Sequence, residues 1–170
     1  MTNGPKEGAV LASVLTGRRV LLIIQPSFAL RSSGGIPMWK FPGGEIEPGE
    51  DVEVAPVREI ADETGFNIPI RRNPVDNKWV VGDESVRLLH RSQRQCPSRG
   101  GGTHPQHFFV FSAPERDVLH LGNTEQIHKE DDEGETIRRG IFDLDKVSTM
   151  PDFLHWQRPL LEQVLALKLV

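Results

Sequence analysis

Three carboxylates in the segment R-E-I-A-D-E-T-G-F, residues 58 to 66, have a spacing that would destabilise a helix but would suit the binding of a cation. If the segment is a helix, Glu59, Asp62 and Glu63 lie at positions i, i+3 and i+4 and share one face. Like charges at this spacing destabilise a helix by roughly 0.2–0.5 kcal/mol per pair. A divalent cation resolves the conflict, because Mg²⁺ binds a few carboxylate oxygens together with waters and substrate phosphates. The pattern therefore indicates a magnesium site, with an ordinary acidic surface helix as the alternative.

The residues upstream of this face add support for a metal site. The segment F-P-G-G, residues 41 to 44, is a tight stretch of backbone that could approach the helix face and contribute a carbonyl oxygen. Arg58 lies on a neighbouring stripe of the helix and can pair with Glu50. That pair would fix the preceding loop and help to orient Glu59, and a metal ligand needs such support.

The helix itself has start and stop signals. In E-P-G-E-D, Asp51 is the expected N-cap, and the helix is expected from about residue 52 to residue 64. Gly65 is a suitable residue for its C-terminal end. Pro56 lies a turn inside, where it removes one backbone donor and is expected to kink or tighten the first turn.

Residues 44 to 66 resemble the Nudix box. That motif is Gly, five residues, Glu, seven residues, Arg-Glu, an apolar residue, any residue, Glu-Glu, any residue, Gly and an apolar residue. The matching positions are Gly44, Glu50, Arg58, Glu59, Ile60, Glu63, Gly65 and Phe66. Asp62 stands where the family has Glu, so it keeps the charge but is one methylene shorter.

The resemblance to Nudix hydrolases implies a role for each matching residue. Glu59 and Glu63 would be the principal metal ligands, Asp62 a third, and the carbonyl of Gly44 a fourth. Arg58 and Glu50 would support the site. The implied cofactor is Mg²⁺, with Mn²⁺ as a substitute.

The implied reaction is attack of water on phosphorus in a nucleoside diphosphate linked to another group, which cleaves a phosphoanhydride bond. The general base in this family is either a glutamate of the box or a glutamate of a late loop. The late-loop candidates here are Glu133 and Glu135, within E-D-D-E-G-E. A solvated acidic turn is the alternative interpretation of that segment.

Substrate contacts are harder to predict from the sequence. Trp39 and Phe28 could stack on a base, although a place in the core is the commoner outcome for aromatic residues. Lys40, beside P-G-G, is a candidate phosphate contact, and a solvated lysine is an equal alternative.

A basic, glycine-rich segment at residues 91 to 105 is expected to be a surface loop, with a lid over an anionic substrate as the alternative. The lid would use Arg91, Arg94 and Arg99. Cys96, His104 and His107 in the same region give only weak support for a zinc site, because there is no C-x-x-C pair.

Periodicity predicts strands at residues 9–15, 20–25, 38–41, 107–112 and 136–144, with weaker strand patterns at 67–71 and 85–90. The C-terminal stretch from Asp152 predicts a helix, because its apolar residues lie near helical spacing, with Pro159 as an interruption: Phe153, Trp156, Leu160, Leu161, Val164 and Leu165. These elements predict an α/β (α+β) fold with a mixed β-sheet and helices on its faces. The resemblance implies a Nudix-like α/β/α sandwich, with residues 1–170 forming a single Nudix hydrolase domain.

Composition narrows the class of partner. The chain has a net charge of −4, a polar N-terminus and a single cysteine, Cys96, so a cytoplasmic protein without a membrane segment is expected. The expected partner is a small molecule derived from a nucleotide, and the family resemblance adds a homodimer. Nucleic acid is less favoured, so a hydrolase of RNA 5′ ends is an alternative. A nucleotide sensor without turnover is the alternative from another class.

Overall fold

The computed structural model describes residues 8–26, 28–29, 34–98, 100–121, 126–130 and 136–169. Its strands include, in chain order, β1 (Ala9–Thr16), β2 (Arg19–Ile24), β3 (Gly43–Glu45), β4 (Ile70–Arg72), β5 (Trp79–Val81), β6 (Arg87–Pro97), β7 (Thr103–Ser112), β8 (Gln126–Glu130) and β9 (Thr136–Asp143). Its helices include α1 (Val54–Thr64), α2 (Glu115–Val118), α3 (Leu144–Thr149) and α4 (Arg158–Leu165), with 3₁₀ turns at Leu119–Leu121 and His155–Gln157. Within these ranges, no helix is long and apolar enough to cross a membrane.

A mixed seven-stranded sheet forms the centre of the fold. Six strands follow the order β6-β7-β1-β2-β9-β8, and β3 pairs with β1 outside that path. β1 runs parallel to β7 and antiparallel to β2. The pairing of Val10 with Gly44 brings the start of the predicted metal-site segment onto the sheet. β4 and β5 form a separate two-stranded sheet.

The sheet is covered on both faces, as the alternation of side chains along its central strands requires. On β1, Leu11 and Leu15 pack into a cluster with α3 and α4 residues, whereas Ala12 and Val14 pack into a cluster with Ile60 of α1. β7 divides in the same way, with Phe108 and Val110 on the first side and Phe109 and Phe111 on the second. This is the mixed sheet between helices that the sequence predicted, and the predicted fold class is confirmed.

One predicted strand and one predicted loop differ from the structure. The stretch at residues 38–41 forms only isolated bridges, Lys40 to Ile23 and Trp39 to Phe153, and the regular strand β3 begins later. The predicted loop at residues 91–105 lies largely in strands, because Arg91–Pro97 completes β6 and 103–105 begins β7. β6 ends the six-strand path of the sheet, so its polar side chains need little burial and the strand lacks the alternation that periodicity detects.

The C-terminal helix also differs from the prediction. Helix α4 begins at Arg158, so Pro159 lies in the first turn, where its missing N–H is not needed, and does not interrupt the helix. Trp156, predicted at helical spacing with the other apolar residues, precedes the helix in a 3₁₀ turn and is 46% exposed. Leu160, Leu161 and Val164 lie on the helix and are buried.

Candidate metal and phosphate site

Helix α1 has the predicted extent, but its N-terminus differs from the prediction. The N-cap position is Glu53, and it has no side-chain capping bond. Asp51, predicted as the cap, instead accepts a hydrogen bond from Nε1 of Trp79 at 2.6 Å through its side chain. Its backbone carbonyl accepts the N–H groups of Val54 and Ala55. A tightened first turn therefore replaces a side-chain cap.

Pro56 is compatible with this helix because of where the helix begins. It is the third helical residue, so it falls among the first four N–H positions, which have no intrahelical acceptor. The helix ends as predicted at Gly65, which has φ of 81° and donates its N–H to the carbonyl of Ala61 at 3.0 Å. The eleven residues between these ends form an uninterrupted helix that carries the acidic face.

Two carboxylates of α1 meet the glycine backbone of β3. The N–H of Gly43 donates to Oε1 of Glu63 at 2.7 Å. A Cβ placed on Gly44 would lie 2.7 Å from Oε1 of Glu59, so only glycine leaves room for that carboxylate. The predicted approach of the P-G-G segment to the helix face is confirmed. Asp62, by contrast, is exposed.

Arg58 connects the carboxylate pair to the preceding loop. Its Nε and Nη2 donate to the two oxygens of Glu50 at 2.7 and 2.9 Å, a bidentate pair. Its Nη1 donates to Oε1 of Glu59 at 2.8 Å, and its Nη2 also donates to the carbonyl of Glu45 at 3.1 Å. The predicted pairing of Arg58 with Glu50 is confirmed, and one guanidinium holds both the loop and Glu59.

The environment of Glu59 and Glu63 disfavours two negative charges. Burial raises the pKa of Glu63, the ammonium of Lys40 acts in the opposite direction, and the neighbouring Glu59 raises the pKa further. Burial also raises the pKa of Glu59, against the effect of Arg58. The two carboxyl groups also influence each other's pKa. Without a cation, the pair therefore retains a proton above the pH at which an exposed glutamate loses it.

This donor set fits a hard divalent cation. In the part of the chain that the structure describes, no three His, Cys, Asp or Glu side chains form a cluster that could hold a metal ion. Mg²⁺ does not require such a cage, because it keeps several waters and uses one or two carboxylates with substrate phosphates. A buried and a half-buried carboxylate that otherwise share a proton are suitable ligands for a cation that can displace that proton.

The two candidate substrate residues are both buried. Trp39 is 5% exposed and packs edge-on against Phe142 with ring centroids 4.6 Å apart, in agreement with the core alternative. Lys40 is 2% exposed, which rules out a solvated lysine. Its Nζ donates to the carbonyl of Phe41 at 3.2 Å and lies 4.8 Å from the ring centroid of Phe28. Lys40 thus provides a positive charge inside the site.

Two of the predicted arginines lie on β6, in the β6–β7 hairpin. Arg91 donates to Glu53 at 3.2 Å and lies over the ring of Phe109, and Arg94 donates to Gln106 and to the carbonyl of Trp156. These two are held within a sheet, so neither the predicted loop nor the predicted lid describes them. Arg99, Glu133 and Glu135 lie outside the described residues.

The zinc alternative gains no support from the same hairpin. Cys96 and His104 are cross-strand partners, but Nδ1 of His104 pairs with Oγ of Ser98 at 2.9 Å. His107 is three residues further along β7 and therefore faces the other side of the strand. The two histidines do not converge on Cys96.

Sequence reasoning missed one residue that shapes the site. Gln157 is 4% exposed, and its Oε1 accepts the N–H of Phe41 at 2.8 Å. Gln157 therefore attaches the C-terminal turn to the backbone at Phe41, which lies between Lys40 and the glycines. A contact across 116 residues leaves no local pattern, and the only available sign was a polar residue in an apolar stretch.

The chain matches a family and several relatives. The model of the NUDIX domain matches residues 5–164. Human nucleoside diphosphate-linked moiety X motif 6 is 42% identical over 78 residues, which cover 43% of this chain and 23% of that protein. The mouse protein of the same name is 43% identical over 53 residues, covering 31% of this chain and 15% of that protein. The matches span less than a quarter of the length of these curated relatives.

A solved structure extends the likeness to the fold. The crystal structure of a mutT/nudix family protein from Listeria innocua superposes with a TM-score of 0.57 at 17% identity, covering 95% of this chain and 93% of that one. The family resemblance drawn from residues 44–66 is confirmed by the domain match, which extends far beyond that motif. The chain belongs to the Nudix family.

Proposed function

We propose that this chain is a Mg²⁺-dependent hydrolase that cleaves a phosphoanhydride bond in a nucleoside diphosphate linked to another moiety, with Mn²⁺ as a substitute for Mg²⁺. The single observation that carries the proposal is the carboxylate pair of half-buried Glu59 and buried Glu63, held against Gly43 and Gly44. Two carboxylates that repel each other in the folded protein would act as ligands for a divalent cation. The names of the mouse and human relatives agree with this substrate class.

In the proposed reaction, Glu59 and Glu63 hold the ion, with the carbonyl of Gly44 and the shorter Asp62 as further ligands. When bound, the divalent ion supplies positive charge that neutralises the diphosphate and stabilises the leaving oxygen. Arg58 fixes the orientation of Glu59, and Glu50 anchors Arg58. Lys40 contributes a second positive charge toward the substrate phosphates.

The proton of the attacking water requires a base. The oxygen of that water forms a bond to phosphorus while the bridging oxygen leaves with its electron pair, and a carboxylate takes the proton. The candidates are Glu63, which is in the site, and Glu133 and Glu135 of the late acidic segment. The bond cleaved is the one between the two phosphoryl groups.

The test is hydrolysis across a substrate panel with Mg²⁺. The panel contains nucleoside triphosphates, ADP-ribose, nucleotide sugars, dinucleoside polyphosphates and RNA with a 5′-triphosphate. Glu63→Gln is expected to lose turnover about 100-fold or more, because it removes a metal ligand or the base. Glu162→Gln, an equal charge change on the exposed side of α4, is the matched control and is expected to keep full turnover.

The same panel separates the alternatives. Nucleotide binding without turnover of any substrate would favour a sensing module and would contradict the proposal. Turnover of RNA but not of free nucleotides would favour a hydrolase of RNA ends. Arg91 and Arg94 are already engaged with Glu53 and with the C-terminal turn, so the hairpin gives that alternative little support.

A further inference from the structure

An exposed aromatic side chain on the C-terminal turn contacts Phe28, the ring that lies beside Lys40. Trp156 is 46% exposed, and its ring stacks on Phe28 with centroids 6.0 Å apart and an interplanar angle of 27°. A single exposed tryptophan is unremarkable on a protein surface. This one contacts Phe28, which lies against the ammonium whose charge acts on the carboxylate pair.

These contacts begin at the buried ammonium of Lys40. Trp39 and Phe41 both pack in the core, so the side chain of Lys40, between them on an extended segment, points to the opposite side. Its charge acts on Glu59 and Glu63. Its Nζ also lies 4.8 Å from the ring centroid of Phe28. Two successive contacts of 4.8 and 6.0 Å therefore lead from the ammonium to the indole.

The tryptophan is held on a fixed backbone. On one side, the N–H of Leu154 donates to the carbonyl of Trp39 at 2.9 Å. On the other, Gln157 accepts the N–H of Phe41. Nη2 of Arg94 donates to the carbonyl of Trp156 itself at 3.2 Å. The turn that presents the indole is thus attached to the segment that carries Lys40 and to the β6–β7 hairpin.

From this arrangement we infer that the Trp156–Phe28 pair is a stacking platform for the nucleobase of the substrate, with the buried charge of Lys40 between this platform and the carboxylate pair. The inference rests on the proposed function, because it assigns the aromatic end of the same substrate. A nucleoside diphosphate has its negative charge and its planar base at opposite ends. The carboxylate pair, the buried ammonium and the aromatic surface follow one another in the matching order. Stacking on an aromatic side chain suits any base, since every base has a π face.

The test measures binding of ADP, GDP, CDP and UDP, with inorganic diphosphate as the ligand without a base. Trp156→Ala is expected to weaken nucleotide binding about tenfold or more, which is the range that base stacking contributes. It is expected to leave the dissociation constant of inorganic diphosphate unchanged. Trp156→Phe keeps an aromatic face and is expected to recover most of the affinity. Trp79→Phe, on β5 and bonded to Asp51, is the control and should match the wild type.

Hydrolysis of the best substrate is measured in parallel, so that the two proposals can fail separately. The inference predicts that Trp156→Ala raises KM while kcat stays within about twofold, because stacking contributes equally to ground and transition states. Nucleotide binding that depends on Trp156 without any hydrolysis would overturn the proposed function and support the platform. If Trp156→Ala hydrolyses the substrate with an unchanged KM, the platform is overturned and the proposed function stands. The same holds if the variant loses affinity for inorganic diphosphate as much as for the nucleotides.

Discussion

The guanidinium of Arg58 reaches Glu50, Glu59 and the carbonyl of Glu45 from a single side chain. A lysine cannot reproduce this geometry, since its ammonium lacks the planar fork that binds a carboxylate through two bonds. Arg58→Lys is therefore expected to lower the free energy of unfolding by about 1–3 kcal/mol, because Glu50 and Glu59 lose bonds that they need when partly buried. Urea denaturation measures the change.

The matched control is Arg18→Lys, which alters an arginine paired with Asp145 at the surface. Exposed ion pairs contribute about 0–1 kcal/mol, so this variant should stay close to the wild type. Equal losses in the two variants would mean that Arg58 has no special structural role.

The two glycines of the site are expected to respond differently to alanine. A Cβ on Gly44 would meet the carboxylate of Glu59, the mobile end of a side chain, whereas a Cβ on Gly43 would lie 2.1 Å from the carbonyl oxygen of Val10. Gly44→Ala should therefore fold and lose divalent-ion affinity, and Gly43→Ala should lose stability. Calorimetric titration with Mg²⁺ and thermal unfolding of both variants provide the comparison. If Gly44→Ala lost stability and Gly43→Ala lost ion affinity instead, the placement of Glu59 against Gly44 would be contradicted.

At the scale of elements, the C-terminal turn stabilises the segment that carries the site. Gln157→Ala removes the acceptor for the buried N–H of Phe41 and is expected to lower the free energy of unfolding by about 1–3 kcal/mol. Gln95→Ala, which removes an exposed glutamine from β6, is the control and should change stability by less than about 0.5 kcal/mol. Chemical denaturation of both proteins measures the difference. If the two variants unfold together, the bond from Phe41 to Gln157 does not stabilise the fold.

The elements that the sequence predicted are those with strong local patterns. The apolar runs of β1, β2, β7 and β9 and the capped end of α1 at Gly65 all have such patterns. The prediction covered only the start of β6 and was silent on β5 and β8. β8 pairs with β9 and has the polar sequence Q-I-H-K-E. Edge pairing depends on the neighbouring strand, and a sequence window contains no information about that neighbour.

In the candidate site, too, the sequence predicted the features with a local pattern and missed those that depend on distant contacts. Spacing on one helix face, with the family motif, predicted the Arg58–Glu50 pair and the approach of the P-G-G segment. It did not predict the burial of Lys40, the role of Gln157 or the stack of Trp156 on Phe28. Each of these arises from contacts between segments far apart in the chain.

For the whole molecule, stability should depend on pH through the carboxylate pair. The pKa of Glu63 is raised above 4.5 in the folded protein, so folding requires a proton that the unfolded chain releases. When a chelator keeps divalent ions away, the free energy of unfolding of the wild type should therefore fall as pH rises from 4.5 to about 8. Glu63→Gln lacks this dependence, so its stability relative to the wild type should increase over that interval.

Urea midpoints in EDTA across the interval measure the effect. The lowered pKa of Glu50, which arises from its bond to Arg58, acts in both proteins and cancels in the comparison. Parallel curves for the wild type and Glu63→Gln would show that Glu63 is not protonated in the folded protein.

The central claim is that the Glu59–Glu63 pair binds a divalent cation, and binding of Mn²⁺ measured by electron paramagnetic resonance tests it most directly. The experiment compares the wild type with Glu59→Gln, Glu63→Gln and the control Glu162→Gln, all without substrate. We expect each change in the pair to weaken binding about tenfold or more, since each removes a charged ligand, and the control to match the wild type. Unchanged Mn²⁺ affinity in both pair variants would contradict the account.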